Sequence, residues 1–242
     1  MANSTCKAVI LAGGKGTRFH PFSFTIPKPL MPIGQDPILH HLMRRLQQSG
    51  VTEVMLALGY QSELIKAYFG TGERWGLKVS YFQEDTPLGT AGPLSLMRQC
   101  FGPNEYFYLA NGDIYTELDF AEMSDFATQG GFDLVVGYVE KTEKSAYGVL
   151  EVHGGVIERI IEKPERRFSI SAGIYVLNGR ALEFIPDLKF FTMPDLMDAF
   201  FTRGLRVGAF PIRSYWLGIE DVESMEQVMQ RMDLGLPNGL RQ

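Results

Sequence analysis

The chain has 242 residues, 45% of them hydrophobic and 21% charged, a composition typical of a globular protein with a substantial core. Its formal net charge of −5 excludes proteins that use an overall basic field to hold nucleic acid or an anionic membrane. Any phosphate-binding site must therefore be a local cluster of basic residues.

The N-terminal segment has neither the pattern of a secretion signal nor that of a membrane anchor. MANSTCKAVILAGG begins with polar residues and contains only a short apolar run. No run in the sequence approaches the ~20 apolar residues of a membrane span. Cys6 and Cys100 have no metal-type spacing, and we expect thiols rather than a disulfide. These features favour a cytoplasmic protein with no nucleic-acid or membrane partner.

The first half of the sequence alternates between apolar strands and helix-length segments. KAVILAG is continuously apolar and ends in glycine, which is typical of a buried strand. Residues 37–49 are predicted to form a helix, because Ile38, Leu42 and Leu46 recur at helical spacing and Gly50 follows. Further strands are predicted at EVMLALGY, LKVSYFQ and YFYLANGD, and further helices at SELIKAYFG and AGPLSLMRQCF. This alternation indicates parallel β-α-β units.

After Asp125 the pattern changes to strands joined by short turns, at FDLVVGYV, GVLEV and VIERIIEKP. AGIYVLNG then predicts another buried strand, and MPDLMDAFFTRG predicts a helix that ends at Gly204. We therefore expect a single α/β domain over residues 1–242. Its sheet should be doubly wound and mostly parallel, with helices on both faces and a small antiparallel or mixed portion.

The loop AGGKGTR follows the first predicted strand, at the sheet edge where doubly wound proteins bind ligands. Glycines in such a loop let backbone N–H groups approach a phosphate closely. Arg18 adds a planar fork that matches phosphate oxygens, and Lys28 adds a point charge held between Pro27 and Pro29. A glycine turn that serves only geometry is the alternative, and the two cations favour phosphate binding over it.

Two familiar nucleotide-binding motifs do not account for this loop. The Walker A motif needs Ser or Thr after Gly-Lys, but Gly16 follows Lys15. The dinucleotide fingerprint needs a glycine where Phe19 stands. A dinucleotide-dependent enzyme is therefore disfavoured.

The longer stretch LAGGKGTRFHPFSFTIPKPLMPI resembles the nucleotide-binding signature of the sugar-1-phosphate nucleotidyltransferases, G-G-x-G-T-R followed by P-K-P. Further along, EDTPLGTAGPL resembles the family's base-binding loop and LANGDI its metal-binding strand end. IEKP and SAGIYVL resemble its sugar-phosphate site, and SYWLGIEDVESMEQV its C-terminal element. The resemblance ends near residue 233, and we therefore expect a short member without the β-helix domain that some relatives carry.

Members of this family join an NTP to a sugar 1-phosphate, giving an NDP-sugar and pyrophosphate. The resemblance implies this activity, a Rossmann-like nucleotidyltransferase fold and Mg²⁺ as the cofactor. It also implies that residues 1–125 form the nucleotide-binding half and residues 126–233 the sugar-phosphate-binding half.

The resemblance assigns roles to particular residues. Arg18 would attract the departing pyrophosphate, and Lys28 would stabilise the α-phosphate. Asp113 would be both a catalytic residue and the Mg²⁺ ligand. The residues assigned to nucleotide binding are Leu11, Ala12, Gly13, Gly14, Gly16, Thr17, Glu84, Pro87, Gly89 and Thr90. Those assigned to sugar-phosphate binding are Asn111, Tyr147, Gly148, Glu162, Lys163, Ser171, Ala172 and Gly173.

Two positions depart from the family pattern. Ser171 stands where the family often has asparagine, which shortens the reach of any sugar contact. Gly218 stands where the family commonly has a metal-binding aspartate, and Glu220 or Asp221 is then the alternative ligand. The departure at Gly218 leaves a second hypothesis open, a nucleotide-sugar-binding regulatory subunit with weak catalysis.

The choice of base depends on the loop QEDTPLG. A carboxylate accepts only, which suits the adjacent N1–H and N2–H₂ donors of guanine, so Glu84 favours GTP. Gln83 lies next to it and would suit a pyrimidine, so UTP or dTTP stays an alternative. GTAGPL resembles the guanylyltransferases of mannose 1-phosphate or a manno-configured heptose 1-phosphate. Phe190-Phe191 and Phe200-Phe201 leave two alternatives, a homodimer face or core packing.

Overall fold

In the computed structural model, which describes residues 6–232, strands alternate with helices through the first half of the chain and cluster in the second. The strands are β1 (Lys7–Ala12), β2 (Pro32–Ile33), β3 (Asp36–Pro37), β4 (Glu53–Leu58), β5 (Lys78–Gln83), β6 (Tyr106–Asn111), β7 (Ile114–Thr116), β8 (Leu134–Lys144), β9 (Val149–His153), β10 (Val156–Ile161), β11 (Glu165–Asn178), β12 (Val207–Pro211) and β13 (Trp216–Gly218).

The helices between these strands are mostly short. The α-helices are α1 (Ile38–Gln48), α2 (Ser62–Phe69), α3 (Phe120–Gly130), α4 (Met193–Thr202) and α5 (Val222–Arg231). The 3₁₀-helices span Thr17–Phe19, Phe22–Phe24, Lys28–Leu30, Glu73–Trp75, Gly92–Cys100 and Gly179–Phe184. Gly204 has a positive φ just after α4, as expected for the glycine that ends a helix.

The main sheet of the described chain has seven strands in the order β12-β8-β11-β6-β1-β4-β5. β1 pairs in parallel with both β4 and β6, β4 pairs in parallel with β5, and β12 pairs in parallel with β8. β11 is antiparallel to both of its neighbours, β6 and β8. The prediction of a mostly parallel sheet with a mixed portion is confirmed.

The strand order reverses at β1, because the chain adds β4 and β5 on one side and then returns to place β6 on the other. In such sheets a crevice opens beyond the carboxyl ends of the strands at the point of reversal. The residues that follow β1 and β6 therefore reach the same crevice, although they are far apart in the sequence.

Helices cover both faces of the sheet, because alternate residues of the central strand enter different cores. Ile10 packs in one core with residues of α1, α2 and α3. Val9 packs in the other with residues of α4 and of the 3₁₀-helix Gly92–Cys100. A smaller core joins the loop after β1 to α5 through Phe19 and Val228. The prediction of helices on both faces is confirmed.

Beyond the sheet, β8 and β11 continue as an antiparallel ribbon in which residues 139–144 pair with residues 165–170. The hairpin of β9 and β10 lies between them in the chain, with a register shift between Ile157 and Arg159. We call residues 139–170 the arm. This is the antiparallel portion that the sequence predicts, and most of its side chains are exposed.

The segment AGPLSLMRQCF is 3₁₀-helical rather than α-helical as expected. Pro93 has no N–H to donate, and the amides of Ala91 and Gly92 both donate to the carbonyl of Phe191. The start of this 3₁₀-helix is therefore joined to the segment that leads into α4. Phe191 and Phe200 pack against a core, whereas Phe190 and Phe201 are exposed.

Neither Cys6 nor Cys100 forms a disulfide within residues 6–232, as expected. Within residues 6–232, no helix has the length and apolar character needed to cross a bilayer.

Candidate active site

Residues 13–16, which we call the glycine loop, follow β1 and pack closely against two other segments. A Cβ added to Gly13 would lie 2.9 Å from Glu84 Oε1, and one added to Gly16 would lie 2.9 Å from Lys28 Cβ. Gly16 also has φ +58°, a left-handed conformation that other residues rarely adopt. By contrast, Gly14 has no such neighbour within 4 Å. The absence of side chains at Gly13 and Gly16 therefore lets Glu84 and Lys28 approach the loop.

Lys28 and Asp113 meet at the crevice beyond β1 and β6. Lys28 Nζ lies 2.6 Å from Asp113 Oδ2, and the lysine side chain is only 14% exposed. Lys28 begins the 3₁₀-helix Lys28–Leu30, and its ammonium lies 5.6 Å from the centre of the Phe19 ring. The amide of Gly112 donates to the carbonyl of Leu11 at 2.8 Å, which ties the start of this turn to β1. The structure thus brings together two of the predicted catalytic residues.

Arg18, the third predicted catalytic residue, forms an ion pair with Glu220. Both side chains are largely solvent-exposed. Thr17 precedes Arg18 in the same short 3₁₀-helix, which follows Gly16 directly. The glycine loop therefore delivers Arg18 to the segment between β13 and α5.

The segment after β13 is anchored beside Asp113. Gly218 pairs with Ile114 in the two-stranded sheet of β13 and β7, and the amide of Ile219 donates to the carbonyl of Asp113 at 2.8 Å. A Cβ added to Gly218 would make only ordinary contacts, the nearest at 3.7 Å from the Trp216 ring. The position where the family commonly has an aspartate is therefore next to Asp113 and has room for a side chain.

Asp221 has a structural role in this segment. Its carboxylate accepts from the amide of Ser224 at 2.8 Å and caps the start of α5. This hydrogen bond is the main cause that lowers the pKa of Asp221, and the positive charges of Arg18 and Lys28 lower that pKa further. Asp221 is thus committed to the helix cap, whereas the exposed Glu220 side chain pairs with Arg18.

Glu84 lies on the other side of the glycine loop. Its Oε2 accepts from the amide of Leu88 at 2.9 Å, while its Oε1 lies against Gly13. Burial raises the pKa of this carboxyl, and the Leu88 hydrogen bond offsets part of that rise. The neighbouring Gln83 is exposed, and its side-chain amide donates to the carbonyl of Gly59 at 3.1 Å. Of the two candidate base-binding residues, Glu84 is the one beside the glycine loop.

The rest of the predicted base-binding loop contacts the segment that leads into α4. A Cβ added to Gly89 would lie 2.6 Å from the carbonyl oxygen of Phe191. The Thr90 hydroxyl accepts from the amide of Met193 at 2.8 Å. Pro87 is exposed. Gly89 and Thr90 therefore fix the shape of this loop through contacts outside the glycine loop.

Four of the predicted sugar-binding residues lie around the junction of β6 and β11. A Cβ added to Gly173, which has φ +66°, would lie only 2.5 Å from Asn111 Nδ2. The Ser171 hydroxyl bonds to the Tyr175 hydroxyl at 3.0 Å, and the carbonyl of Ala172 accepts from Trp216 Nε1 at 2.9 Å. Asn111 itself stands two residues before Asp113, so this group borders the crevice.

Trp216 was not among the residues that the sequence singled out. Its indole ties β13 to β11 through Ala172, and its ring also lies nearest to the Cβ position of Gly218. The tryptophan stands inside the quoted stretch SYWLGIED, so the signal was present in the sequence. The motif alone could not show that Trp216 contacts Ala172, because this contact depends on how β13 pairs in the fold.

The other predicted sugar-binding residues are on the arm. A Cβ added to Gly148 would lie 3.1 Å from Glu162 Oε2, and Lys163 is exposed with φ 44°. Tyr147 is 79% exposed. The structure thus groups these residues at one end of the hairpin. Within residues 6–232, no ion pair joins Glu162 or Lys163 to the residues at the crevice.

A cavity of about 1060 Å³ opens beside the crevice, between the start of the arm, β13 and α5. Gly218, Glu220 and Asp221 line it together with Trp216. Cavities of a few hundred to a thousand Å³ are typical of small-molecule sites. Glu220, the ion-pair partner of Arg18, therefore borders a cavity of the size of a small-molecule site, although Arg18 and Asp113 do not line it.

The described residues contain no group of three or more His, Cys, Asp or Glu side chains that could hold a metal ion by themselves. Mg²⁺ is usually held in enzymes by one or two carboxylates together with substrate phosphates. Asp113 supplies one carboxylate, and it stands beside Lys28, a residue suited to phosphate. The residues therefore fit an ion that is shared between the protein and a bound phosphate.

The order and pairing of the strands define a doubly wound α/β protein, with Arg18, Lys28 and Asp113 gathered at the point of strand reversal. The chain belongs to the nucleotidyl transferase family, whose pattern matches residues 7–233. This confirms the family resemblance that the sequence motifs indicated.

The chain is similar to several curated guanylyltransferase sequences. A probable mannose-1-phosphate guanylyltransferase 1 from Oryza sativa subsp. japonica is 39% identical over 186 residues, covering 74% of this chain and 52% of that protein. The mannose-1-phosphate guanylyltransferase catalytic subunit beta of Danio rerio is 40% identical over 185 residues, covering 74% and 51% respectively. The chain thus spans about half the length of these curated relatives.

Among solved structures, HddC from Yersinia pseudotuberculosis complexed with GMP-PN is similar with a TM-score of 0.73. It is 29% identical to this chain, and the match covers 94% of this chain and 100% of HddC. The similarity therefore extends over the whole of that fold.

Proposed function

We propose that this chain transfers a nucleotidyl group from an NTP, with GTP favoured, to a sugar 1-phosphate of the mannose or manno-heptose type. The products would be an NDP-sugar and pyrophosphate. The observation that carries the proposal is the meeting of Lys28 and Asp113 beside the glycine loop, in a chain of the nucleotidyl transferase family. The names of the curated relatives support the sugar, and the GMP-PN complex of HddC supports the base.

The chemical difficulty of this reaction is charge. An oxygen of the sugar phosphate must attack the α-phosphorus of the nucleotide, but both partners are anions and repel each other. Phosphoryl-transfer enzymes overcome this mainly by positioning the partners and by stabilising the charge that develops. A site for the reaction therefore needs cations and N–H donors at the place where the two anions meet.

The residues at the crevice can provide these groups. The loop from Gly13 to Gly16 would wrap the triphosphate with backbone N–H groups, which its glycines leave accessible. Lys28 would stabilise the α-phosphate during attack, since its ammonium is held by Asp113 and by the Phe19 ring. Arg18 would bind the departing pyrophosphate, for which its planar fork is suited.

Mg²⁺ fits the proposal as the cofactor, held by Asp113 and the phosphates of the nucleotide. When bound there, it would neutralise part of the phosphate charge. Gly218 supplies no second carboxylate, and the carboxylate of Asp221 caps α5. Among these acidic positions, the proposal therefore assigns the ion to Asp113.

The contacts of Glu84 support guanine as the base. Its carboxylate stands beside Gly13 with one oxygen held by the Leu88 amide, so a carboxylate edge is presented near the phosphate loop. Guanine offers two adjacent donors, N1–H and N2–H₂, to such an edge. Gln83, which would suit a pyrimidine, already donates to the carbonyl of Gly59. UTP and dTTP are the alternatives that the experiment below must include.

We further propose that residues 1–125 form the nucleotide-binding half and residues 126–233 the half that binds the sugar phosphate. The glycine loop and Glu84 belong to the first half. Gly173, Trp216 and the arm, which carries Glu162 and Lys163, belong to the second. The Lys163 ammonium is exposed and has no ion-pair partner within residues 6–232, so it is available for the phosphate of the sugar.

The test is a matrix of nucleotides against sugar 1-phosphates in the presence of Mg²⁺. GTP, UTP, dTTP, ATP and CTP would each be combined with mannose 1-phosphate, a manno-heptose 1-phosphate and glucose 1-phosphate. Pyrophosphate release and the mass of the NDP-sugar would be measured, with omission of the sugar as the control. We expect the highest kcat/KM for GTP with a manno-configured sugar.

The absence of a carboxylate at Gly218 favours a second candidate, a regulatory subunit that binds nucleotide sugars and catalyses weakly. Its signature would be tight binding of GDP-mannose without pyrophosphate release for any pair in the matrix. The presence of Arg18, Lys28 and Asp113 argues for catalysis, because binding alone does not need an arginine for the leaving group.

A further inference from the structure

The ion pair between Arg18 and Glu220 places a carboxylate in competition with any phosphate that binds Arg18. Glu220 bonds to Arg18 Nη1, one of the guanidinium nitrogens that a phosphate would need. The residues are 202 positions apart in the sequence, so the contact is made by the fold rather than by local chain geometry. A phosphate that uses Arg18 Nη1 must therefore displace this carboxylate.

The backbone on both sides of Glu220 is fixed. Ile219 donates its amide to the carbonyl of Asp113 at 2.8 Å, and its side chain is fully buried. The amide of Glu220 donates to the Ser224 hydroxyl at 2.9 Å, and Asp221 caps the start of α5. Only the side chain of Glu220 is free to change position. It can therefore leave Arg18 by rotation, without any movement of β13 or α5.

The contact is also weak enough to be exchanged. The side chains of Arg18 and Glu220 are 66% and 63% exposed, and exposed ion pairs contribute little to stability because water screens them. Lys28 and Asp113 are more buried, so their pair is harder to separate. Of the two cations at the crevice, Arg18 is thus the one whose counter-ion a ligand can displace readily.

We propose that Glu220 is a displaceable counter-ion of Arg18, which occupies the pyrophosphate position while no nucleotide is bound and leaves when phosphate arrives. The inference rests on the proposed function, because it takes Arg18 as the ligand of the leaving pyrophosphate. It makes Glu220 a positioning residue that competes with phosphate. The residue keeps the guanidinium oriented toward the crevice and returns to it when pyrophosphate departs.

The consequence is that Glu220 lowers the affinity for phosphates and accelerates the release of pyrophosphate. Removal of its charge should strengthen the binding of inorganic pyrophosphate even when no metal is present. A residue that held Mg²⁺ would behave in the opposite way, because its removal would weaken binding only in the presence of the metal.

The experiment measures the binding of inorganic pyrophosphate by titration calorimetry, in EDTA and at low salt, where screening is weak. The proteins are the full chain and its variants Glu220→Gln and Glu223→Gln. Glu223 is the matched control, since it is exposed, lines the same cavity and changes the net charge equally. We expect Glu220→Gln to bind about two- to fivefold more tightly, the range for loss of an exposed ion pair, and Glu223→Gln to resemble wild type.

A double-mutant cycle separates the ion pair from a general charge effect. In an Arg18→Gln background, Glu220→Gln should give no further gain, because the counter-ion then has nothing to release. Equal gains for Glu220→Gln and Glu223→Gln, or a gain that persists without Arg18, would overturn the inference alone. A loss of affinity confined to Mg²⁺-containing buffer would also overturn it and make Glu220 a metal ligand. If pyrophosphate binds to none of these proteins, the proposed phosphate site fails as well.

Discussion

Lys28 Nζ lies 2.6 Å from Asp113 Oδ2 at the crevice, although 85 positions separate the two residues in the sequence. The fold brings them together because β1 and β6 are adjacent parallel strands. Asp113 follows β6 after Gly112, and Lys28 stands in the loop that begins at the end of β1. The pair places a cation for phosphate beside a carboxylate for a metal, and this pairing of opposite charges underlies the proposed chemistry.

The first prediction concerns the charge of Asp113. In Asp113→Asn the amide keeps the shape but loses the charge that would hold Mg²⁺, so kcat should fall by roughly a hundredfold or more. Asp125→Asn is the control, because Asp125 is an exposed residue of α3. Steady-state kinetics and circular dichroism of both variants would be compared. Turnover of Asp113→Asn within about threefold of wild type would show that Asp113 is only a turn residue.

The fold and the main site residues could be predicted from the sequence because their signals are local. Continuous apolar runs mark β1, β4 and β6, and the glycine string with Arg18 and Lys28 follows the first of them directly. The partner of Arg18 could not be predicted in this way. Its contact with Glu220 depends on β13 pairing with β7, which is a tertiary event between short strands.

The contacts of the loop before the 3₁₀-helix Gly92–Cys100 could not be predicted from the sequence either. The motif assigned Gly89 and Thr90 to the nucleotide, but in the fold Gly89 packs against Phe191 and Thr90 accepts from the amide of Met193. The helix after them is 3₁₀, and the amides of Ala91 and Gly92 at its start donate to the carbonyl of Phe191. Sequence periodicity cannot indicate such contacts, since they come from a segment about a hundred residues away.

The second prediction compares two glycines of the phosphate loop. Gly16→Ala must adopt φ +58° and place a Cβ 2.9 Å from Lys28 Cβ, whereas Gly14 has neither constraint. Gly16→Ala should lower the free energy of unfolding by about 1–2 kcal/mol or more, the cost of a left-handed residue. Gly14→Ala should change it by less than about 0.5 kcal/mol. Urea denaturation measures both, and equal losses would contradict the packing of Gly16 against Lys28.

The third prediction tests base recognition by Glu84. Glu84→Gln would present an amide donor to a guanine donor. The resulting fall in kcat/KM for GTP should correspond to a loss of about 1–3 kcal/mol in transition-state stabilisation. Use of UTP and dTTP should fall less or rise, because an amide can pair with a pyrimidine. Gln83→Ala is the control and should leave the ratio of GTP to UTP use unchanged.

Equal losses for GTP, UTP and dTTP in Glu84→Gln would mean that this residue only supports the loop through the Leu88 amide. A wild-type preference for UTP or dTTP would contradict the assignment of guanine. The base would then have to be read by another residue of the same loop.

The fourth prediction is a pH dependence of stability that Glu84 causes. Burial raises its pKa above the ordinary 4.5, so the folded chain binds this proton more tightly than the unfolded chain does. The stability contribution of Glu84 is therefore fully present below its unfolded-state pKa and is lost as pH rises through the raised folded-state pKa. Glu84→Gln cannot ionise and should gain in Tm relative to wild type between about pH 4 and pH 7.

Thermal melts of wild type and Glu84→Gln across that range measure this difference. Asp85→Asn is the control, because Asp85 is exposed and its removal relieves no buried charge. A difference in Tm that stays constant, or that shrinks with rising pH, would show that the Glu84 carboxyl is not penalised by burial in solution.

The most direct measurement of the proposed reaction follows the α-phosphorus of the nucleotide. Purified chain would be incubated with Mg²⁺, mannose 1-phosphate and GTP that carries radioactive phosphorus at the α-position. Attack on that atom with pyrophosphate as the leaving group predicts that the label appears in a GDP-sugar and that the released pyrophosphate is unlabelled. Label that stays in GTP for every sugar 1-phosphate, or that appears only in GMP, would contradict nucleotidyl transfer by this chain.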